Sequence, residues 1–215
     1  MMYALETALS PVVWLMKLVL DFYISLLSST GISILLTSFT FSLLLLPLQK
    51  IANRTEHRIS EKTKKVAAEV KSLSASIKGE ELFLATERIY KANGYHPIQS
   101  IGLGASFLVM LPVLISAILL FNGSGILTGE SFLFVKDLSR PDGFLGPVNL
   151  LPFIMSAITW IDATLRFSND RKSRQRFFFI SVVLLVIVYN LASGLVLYWI
   201  GSNTMSLALS QLKSQ

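Results

Sequence analysis

The sequence has no cysteine, two histidines and few charged side chains. The absence of cysteine excludes disulfides and cysteine-based metal or redox sites. We find no zinc-ligand spacing, no glycine-rich phosphate loop and no plausible Ser/His/Asp arrangement. We therefore predict no catalytic residues, no metal and no cofactor, and a protein that is not an enzyme.

Charged residues make up 15% of the 215-residue chain, whereas a typical soluble domain carries about 25%. Hydrophobic residues make up 53% and cluster in long runs. This combination is typical of membrane proteins, and the length suits about five spans with their loops. The predicted fold class is an all-α integral membrane protein with five transmembrane helices, an N-terminal interfacial amphipathic helix and a cytoplasmic helical hairpin.

The apolar runs and the breaks between them divide the chain into segments. Ser28 to Gly31 interrupts the first helical pattern, and Pro47 is expected to kink the helix that follows. The predicted segments are an interfacial helix over residues 1–30, a first span over 31–49, a cytoplasmic basic helical hairpin over 50–96, a second span over 97–121, an external loop over 122–148, a third span over 149–166, a cytoplasmic basic loop over 167–176, a fourth span over 177–190 and a fifth span over 194–212.

The first apolar stretch carries its polar residues on one stripe. Lys17 and Asp21 can pair across one helical turn, and Ser10, Trp14 and Ser25 continue the same side. A helix with one narrow polar stripe is typical of the membrane interface, which is the interpretation we favour. The alternative is an additional span. The first ten residues lack Lys and Arg, so we expect no signal cleavage.

Residues 50–96 contain ten Lys or Arg. Apolar positions such as Ile59, Val66 and Val70 follow a heptad-like spacing, which predicts two helices that bury their apolar stripes against each other. Solvation and topology alone would also account for these charges. Five of the cations are candidate cytoplasmic contact residues: Arg54, Arg58, Lys62, Lys64 and Lys65.

Lysine and arginine are distributed unevenly between the two sides of the predicted membrane protein. If the hairpin, the basic loop and the C-terminus are inside, 16 Lys or Arg lie inside and 3 lie outside. This asymmetry is a strong positive-inside signal. It predicts five spans with the N-terminus outside and the C-terminus in the cytoplasm.

The C-terminal part contains the most specific motif. The run from Ser193 to Asn203 resembles the last-span signature of the YidC/Oxa/Alb family of membrane protein insertases. Four further features agree with this family in order along the chain: Leu46-Pro47-Leu48, His96-Pro97-Ile98, Leu111-Pro112-Val113 and the loop from Lys136 to Pro152. The resemblance covers residues 10 to 212.

The resemblance implies a hydrophilic groove between the spans, open to cytoplasm and lipid, through which nascent transmembrane segments enter the bilayer. It implies a bacterial plasma (inner) membrane location. The implied partners are nascent membrane proteins and the lipid bilayer, with the ribosome and the Sec translocon as further candidates and no specific nucleic acid. The candidate groove residues are Thr37, Thr40, Ser42, Ser106, Ser156, Thr159, Ser202 and Asn203. Each hydroxyl could equally serve close helix packing.

One position departs from the family pattern. Bacterial members place an arginine in the first span, five residues before the proline that matches Pro47, and this chain has Ser42 there. We therefore expect a weak preference for substrates with acidic tails. A non-inserting assembly factor for one partner membrane protein is the main alternative. A small transporter is disfavoured by the lack of repeated halves, and RNA binding by the acidic residues among the hairpin cations.

Overall fold

The computed structural model describes residues 2–95, 105–166 and 171–212, and these ranges contain eight α-helices and no regular strand. The helices are α1 (Met2–Leu27), α2 (Thr30–Leu44), α3 (Leu46–Ser74), α4 (Gly79–Ala92), α5 (Ala105–Gly123), α6 (Leu151–Arg166), α7 (Arg171–Val188) and α8 (Ser193–Leu212). The predicted all-helical class is confirmed. Residues 97–104 of the predicted second span lie outside the described residues.

The chain forms two compact units. The bundle unit comprises Met1–Leu44 with Pro112–Gln215, and the basic unit comprises Leu45–Leu111. In the bundle unit, α2 contacts α1 and α8, and α6 contacts α8 and α7. The helices therefore neighbour one another in the order α1, α2, α8, α6, α7. The core draws apolar side chains from these helices, from the end of α5 and from the loop before α6.

Two breaks divide the first part of the chain. Ser28 has a φ of 51°, in the left-handed region, and it ends α1 where the sequence predicts an interruption. Between Leu44 and Leu46 one helix ends and the next begins, with Pro47 in the first turn of α3. Proline lacks the N–H that would bond to the preceding turn. The predicted first span, residues 31–49, therefore contains most of α2 and the first turn of α3.

One described helix, Glu6–Leu27 within α1, is both long and apolar enough to cross a bilayer. A second crossing is obtained when Thr30–Leu44 and Leu46–Ala52 are counted together as one broken span. Shorter apolar helical stretches are Val109–Gly123, Leu151–Leu165 and Phe177–Val188. Large apolar side chains on α1 and α7, including Trp14 and Phe179, are exposed, as expected of a surface that faces lipid.

The start of α7 differs from a boundary predicted from the sequence. The cytoplasmic basic loop was predicted over residues 167–176, but α7 already begins at Arg171. Residues 167–170 of that loop lie outside the described residues. Lys, Arg and Gln are good helix formers, so a charged run that follows an apolar span is compatible with helix as well as with loop.

The loop between α5 and α6 forms hydrogen bonds with the start of α8. The backbone N–H groups of Ser193 and Gly194 donate to the carbonyls of Arg140 (2.8 Å) and Leu138 (2.9 Å). The Ser193 hydroxyl donates to the Arg140 carbonyl as well. The first N–H groups of a helix have no partner within the helix. The loop therefore supplies the acceptors that α8 needs at a buried end.

The same loop caps α6. The carboxylate of buried Asp142 accepts hydrogen bonds from the backbone N–H groups of Leu150 and Leu151. The Asn149 side chain donates to the carbonyl of Tyr189 at 2.8 Å, which ties the start of α6 to the end of α7. A carboxylate at a helix N-terminus satisfies orphan donors and interacts favourably with the helix dipole.

Within this loop the Asp137 carboxylate is held by its neighbours. It accepts hydrogen bonds from the hydroxyl (2.6 Å) and the backbone N–H (2.9 Å) of Ser139, and from Gly129 N–H. These bonds, led by the Ser139 hydroxyl, hold the pKa of Asp137 below its ordinary value of 3.8, and Arg140 adds a smaller contribution. Asp137 therefore fixes the turn in its ionised form.

The basic unit contains α3 and α4, which are joined by a short turn and contact each other. Val66, one of the heptad positions, is buried, as are Ala52 and Tyr95. The Tyr90 and Tyr95 rings pack at 5.2 Å between centroids. On the outer side of α4, Lys91 bonds to Glu87 at 2.8 Å and lowers the pKa of that carboxyl.

Candidate functional site

Serine hydroxyls meet where α2 packs against α8. The Oγ atoms of Ser42 and Ser202 lie 3.2 Å apart, and both residues are buried. Ser42 also donates to the carbonyl of Ser38 at 2.8 Å, one turn earlier in α2. Two of the predicted groove residues are therefore in direct contact, at the position where the family pattern leads us to expect arginine.

Gly201 permits this close approach. A Cβ atom at this position would overlap Ser38 Oγ and would lie 3.2 Å from Leu35 Cδ2. Small residues at helix interfaces let backbones come together and allow side-chain hydroxyls to meet. Neither Gly201 nor Ser38 is among the predicted groove residues, although Gly201 lies in the family signature.

A second polar contact joins α8 to α6. Asn203 Nδ2 donates to Thr159 Oγ1 at 2.8 Å, and Thr159 donates in turn to the carbonyl of Met155 at 2.9 Å. Asn203 and Thr159 are both half-buried. Their contact continues the line of polar groups from α2 through α8 to α6. We call Ser38, Ser42, Ser202, Asn203 and Thr159 the polar seam.

The other predicted positions on α2 lie outside the seam. Thr40 Oγ1 lies 3.0 Å from the hydroxyl of Tyr23 on α1, a partner that sequence reasoning missed. Thr37 is fully buried and donates to the carbonyl of Ser33 at 2.7 Å, within its own helix. Thr37 therefore bonds within α2, whereas Thr40 links α2 to α1.

Two predicted groove residues remain, Ser156 and Ser106. Ser156 faces α7, where its hydroxyl lies 3.4 Å from the carbonyl of Ser181. It lines a cleft of about 150 Å³ beside the packed rings of Trp160 and Phe178. Ser106 lies in α5, and its side chain is outside the described ones.

The polar seam is neutral. Its members are Ser, Thr and Asn, and Asp162, one turn beyond Thr159, is the nearest carboxylate along α6. Among the described side chains, every buried polar atom has a hydrogen-bond partner. Buried polar groups are tolerated when they bond to one another. The same groups could exchange these bonds for water or for a polar segment that enters between the helices.

The predicted cytoplasmic contact residues are all on α3 and exposed. Arg58, Lys62 and Lys65 line one shallow depression, whereas Lys64 turns to Glu61, with 3.3 Å between Nζ and Oε1. In the described part of the chain there is no group of three or more His, Cys, Asp or Glu side chains that could hold a metal.

Comparison with known proteins finds relatives that match most of the chain. The family described as 60Kd inner membrane protein matches residues 22–214. The chain is 27% identical over 205 residues to the membrane protein insertase YidC of Syntrophobacter fumaroxidans, covering 88% of this chain and 35% of the relative. It is also 27% identical to the YidC proteins of Magnetococcus marinus and Treponema denticola, covering 88% and 95% of this chain and 33% and 37% of the relatives.

The fold is also similar to that of a solved structure. The crystal structure of an active YidC insertase with its first transmembrane domain resolved superposes with a TM-score of 0.59 at 20% sequence identity, covering 95% of this chain and 46% of that one. The chain spans about a third of the length of the curated relatives that it matches. It therefore belongs to the 60Kd inner membrane protein family, that of the YidC/Oxa insertases, and is an integral inner membrane protein.

Proposed function

We propose that this protein is a membrane protein insertase or chaperone, which lowers the barrier for nascent transmembrane segments to enter the bilayer. In this proposal five spans place the N-terminus outside and the C-terminus in the cytoplasm. A hydrophilic groove accommodates the polar end of the substrate while its apolar part moves into lipid. No covalent bond is made or broken, so the protein acts without catalytic residues.

The polar seam is the observation that carries this proposal. Ser42, Ser202, Asn203 and Thr159 place hydroxyl and amide groups where α8 meets α2 and α6, and large apolar side chains are exposed on other faces of α2 and α6. Moving an unsatisfied amide or hydroxyl into an apolar medium costs about 2–7 kcal/mol. Side chains that exchange their mutual hydrogen bonds for bonds to a passing segment lower this cost. The family match over residues 22–214 supports the same reading.

Because Ser42 is neutral, we propose that the groove does not select acidic tails by charge. A fixed arginine in a low-dielectric groove would attract carboxylates. Hydroxyls instead bind polar groups through hydrogen bonds, whether those groups carry a positive charge, a negative charge or none. Substrates with short, uncharged translocated tails fit this chemistry best. The cytoplasmic basic hairpin formed by α3 and α4 would then contact the membrane or the nascent chain.

The test is insertion into liposomes that contain the purified full chain. The substrates are one small membrane protein with a neutral translocated tail and the same protein with an acidic tail. We expect protease-protected insertion of both, with similar yields. Thr159→Val, which leaves Asn203 without its acceptor, should lower the yield. Thr164→Val is the matched control, because Thr164 is on the same helix, bonds only to the carbonyl of Trp160 and lies outside the seam.

Two results would contradict the proposal. One is insertion no greater than in protein-free liposomes. The other is an equal loss in both threonine variants despite unchanged thermal stability. A strong acidic-tail preference would reject the role assigned to Ser42 while leaving insertase activity in place.

A non-inserting assembly factor is the second candidate. The mutual hydrogen bonding of the seam favours it, because Ser42 is already paired with Ser202, and Asn203 with Thr159. This function predicts a stable, stoichiometric complex with one membrane protein and no insertion in liposomes. Detergent extraction followed by mass measurement of the intact complex separates the two functions.

A further inference from the structure

The cations of α3 form a continuous stripe. Lys50, Arg54, Arg58, Lys62 and Lys65 follow one another at intervals of four, four, four and three residues, and all five are exposed. Residues three and four apart share one side of an α-helix. The five side chains therefore occupy one face over about 22 Å, at a rise of 1.5 Å per residue. We call this face the basic stripe.

Three of the five stripe residues border a concave surface. Arg58, Lys62 and Lys65 surround a shallow depression of about 500 Å³, together with Glu61 and Asn93. The carboxylate of Glu61 also pairs with Lys64, one turn further along the helix, with 3.3 Å between Oε1 and Nζ. Three cations against one partly neutralised carboxylate leave the depression positive, which suits an anionic group.

The depression is held in shape by the end of α4. Lys62 Nζ donates to the carbonyl of Gly94 at 3.2 Å. Asn93 donates to the carbonyl of Ile89 at 3.0 Å and lies 3.4 Å from Glu69 Oε2. These contacts fix two of the lining side chains before any ligand arrives, which lowers the entropic cost of binding.

The start of the same helix is apolar and exposed. Leu48 is 51% exposed and Ile51 is 61% exposed, and both precede Arg54 on α3. The chain enters α3 directly from α2, which is a span in the proposed topology. An apolar turn followed by cations is the order expected where a helix leaves the hydrocarbon and passes the headgroups.

We propose that the basic stripe binds the phosphodiester headgroups of anionic phospholipids in the cytoplasmic leaflet, with Arg58, Lys62 and Lys65 as the principal contacts. Leu48 and Ile51 place lipid next to the stripe, whereas RNA offers no partner for them. Glu61 and Glu69 on the same face oppose a long polyanion more than they oppose single phosphates. The inference depends on the membrane location of the chain and not on its insertase activity.

The test measures lipid retained by the full chain in detergent, by native mass spectrometry, with phosphatidylglycerol or phosphatidylcholine added. We expect preferential retention of phosphatidylglycerol that declines with salt. The triple variant Arg58→Gln/Lys62→Gln/Lys65→Gln should bind it about a hundredfold more weakly. The matched triple Lys71→Gln/Lys78→Gln/Arg88→Gln removes the same charge from exposed positions on α3, on α4 and in the turn between them, and should behave as wild type.

Three results would overturn the proposal. Equal losses in both triples would show that only total charge matters. Equal retention of the two lipids by the wild type would show that there is no anion preference. Tighter binding of a short RNA oligonucleotide than of phosphatidylglycerol, lost in the stripe triple alone, would assign the stripe to nucleic acid. Circular dichroism of both triples verifies that α3 remains helical.

Discussion

At the scale of single residues, Gly201 decides how closely α2 and α8 approach. The space for its side chain is occupied by Ser38 Oγ, and Leu35 Cδ2 lies 3.2 Å from where a Cβ would stand. The Ser42–Ser202 contact at 3.2 Å depends on the same approach, because Ser202 adjoins Gly201 on α8. One hydrogen atom in place of a methyl group thus maintains the polar seam.

We predict that Gly201→Ala destabilises the protein by about 1–3 kcal/mol, the range for overpacking a closely packed site. Thermal unfolding in detergent should show a lower midpoint than wild type. Gly123→Ala is the control, because nothing lies within 4 Å of a Cβ at that helical position. Adding Ser38→Ala should recover most of the loss. If the double variant is no more stable than Gly201→Ala, the overlap with Ser38 is not the cause.

Asp137 gives a pH-dependent prediction. Its hydrogen bonds from Ser139 and Gly129 place its pKa below the ordinary 3.8 in the folded protein. A lowered folded pKa means that the carboxylate stabilises the fold above the unfolded value and loses this effect as pH falls below it. Asp137→Asn should therefore be less stable than wild type at neutral pH, and the difference should shrink below about pH 4.

Thermal unfolding from neutral pH to about pH 3 measures this difference. Ser139→Ala removes the strongest donor to Asp137 and should reproduce the effect in weaker form. A difference between wild type and Asp137→Asn that stays constant with pH would show that the carboxylate charge has no part in holding the turn.

The residue types of the seam could be predicted from the sequence, but not its pairs. Ser42, Ser202, Thr159 and Asn203 stand out because neutral polar groups are unusual inside apolar helices. Which of them meet depends on helix rotation, and a rotation of one residue, about 100°, would separate each pair. The contact between Tyr23 and Thr40 could not be predicted, because it depends on how α1 packs against α2.

At the scale of helices, periodicity predicted where most elements lie but not all their ends. The break at Ser28 and the one before Pro47 follow from local backbone chemistry and could be predicted. The start of α7 at Arg171 could not, because basic residues support both a cytoplasmic loop and a helical turn. The caps of α6 and α8 come from loop atoms distant in sequence, which periodicity does not reveal.

The short apolar part of α7 leads to a prediction about bilayer thickness. Phe177–Val188 covers about 18 Å, whereas the hydrocarbon core is about 30 Å thick. A span in this position, as the proposed topology requires, thins the bilayer around it, and thicker bilayers raise the cost. Insertion activity should fall through a series of phosphatidylcholines of increasing acyl-chain length.

A variant with four apolar residues inserted after Val183 provides the comparison for this series. It lengthens the apolar helix by about 6 Å. The bilayer thickness at which the variant is most active should therefore be greater than the thickness at which wild type is most active. The same optimum in both proteins would show that α7 does not set the preferred thickness.

At the scale of the whole molecule, charge distribution and family membership both indicate a membrane protein. By length and composition, however, the described helices include one clear span, or two when α2 and the start of α3 are counted as one broken span. The reason is physical. Helices in a bundle that shield one another carry polar seams and short apolar parts, so each is less apolar than an isolated span must be. The five-span arrangement therefore needs a direct measurement of sidedness.

The absence of cysteine makes that measurement clean, because each introduced thiol is the only one in the chain. We predict that an impermeant maleimide labels Leu133→Cys, in the external loop and 83% exposed, in intact bacterial spheroplasts. Ser76→Cys, exposed in the turn between α3 and α4, should react only after permeabilisation. Reaction of both without permeabilisation would reject the proposed orientation.

Ser10→Cys decides the placement of α1. In the proposed topology α2 starts on the outside whether α1 crosses the membrane or lies on it, so only the sidedness of residues near the start of α1 differs. An interfacial α1 leaves exposed Ser10 outside and reactive in intact spheroplasts, whereas a spanning α1 places it on the cytoplasmic side of the membrane. The Lys17–Asp21 pair, 2.6 Å apart and half exposed on both side chains, is costly in lipid and well solvated among headgroups. We therefore expect labelling from outside, and protection until permeabilisation would establish a sixth span.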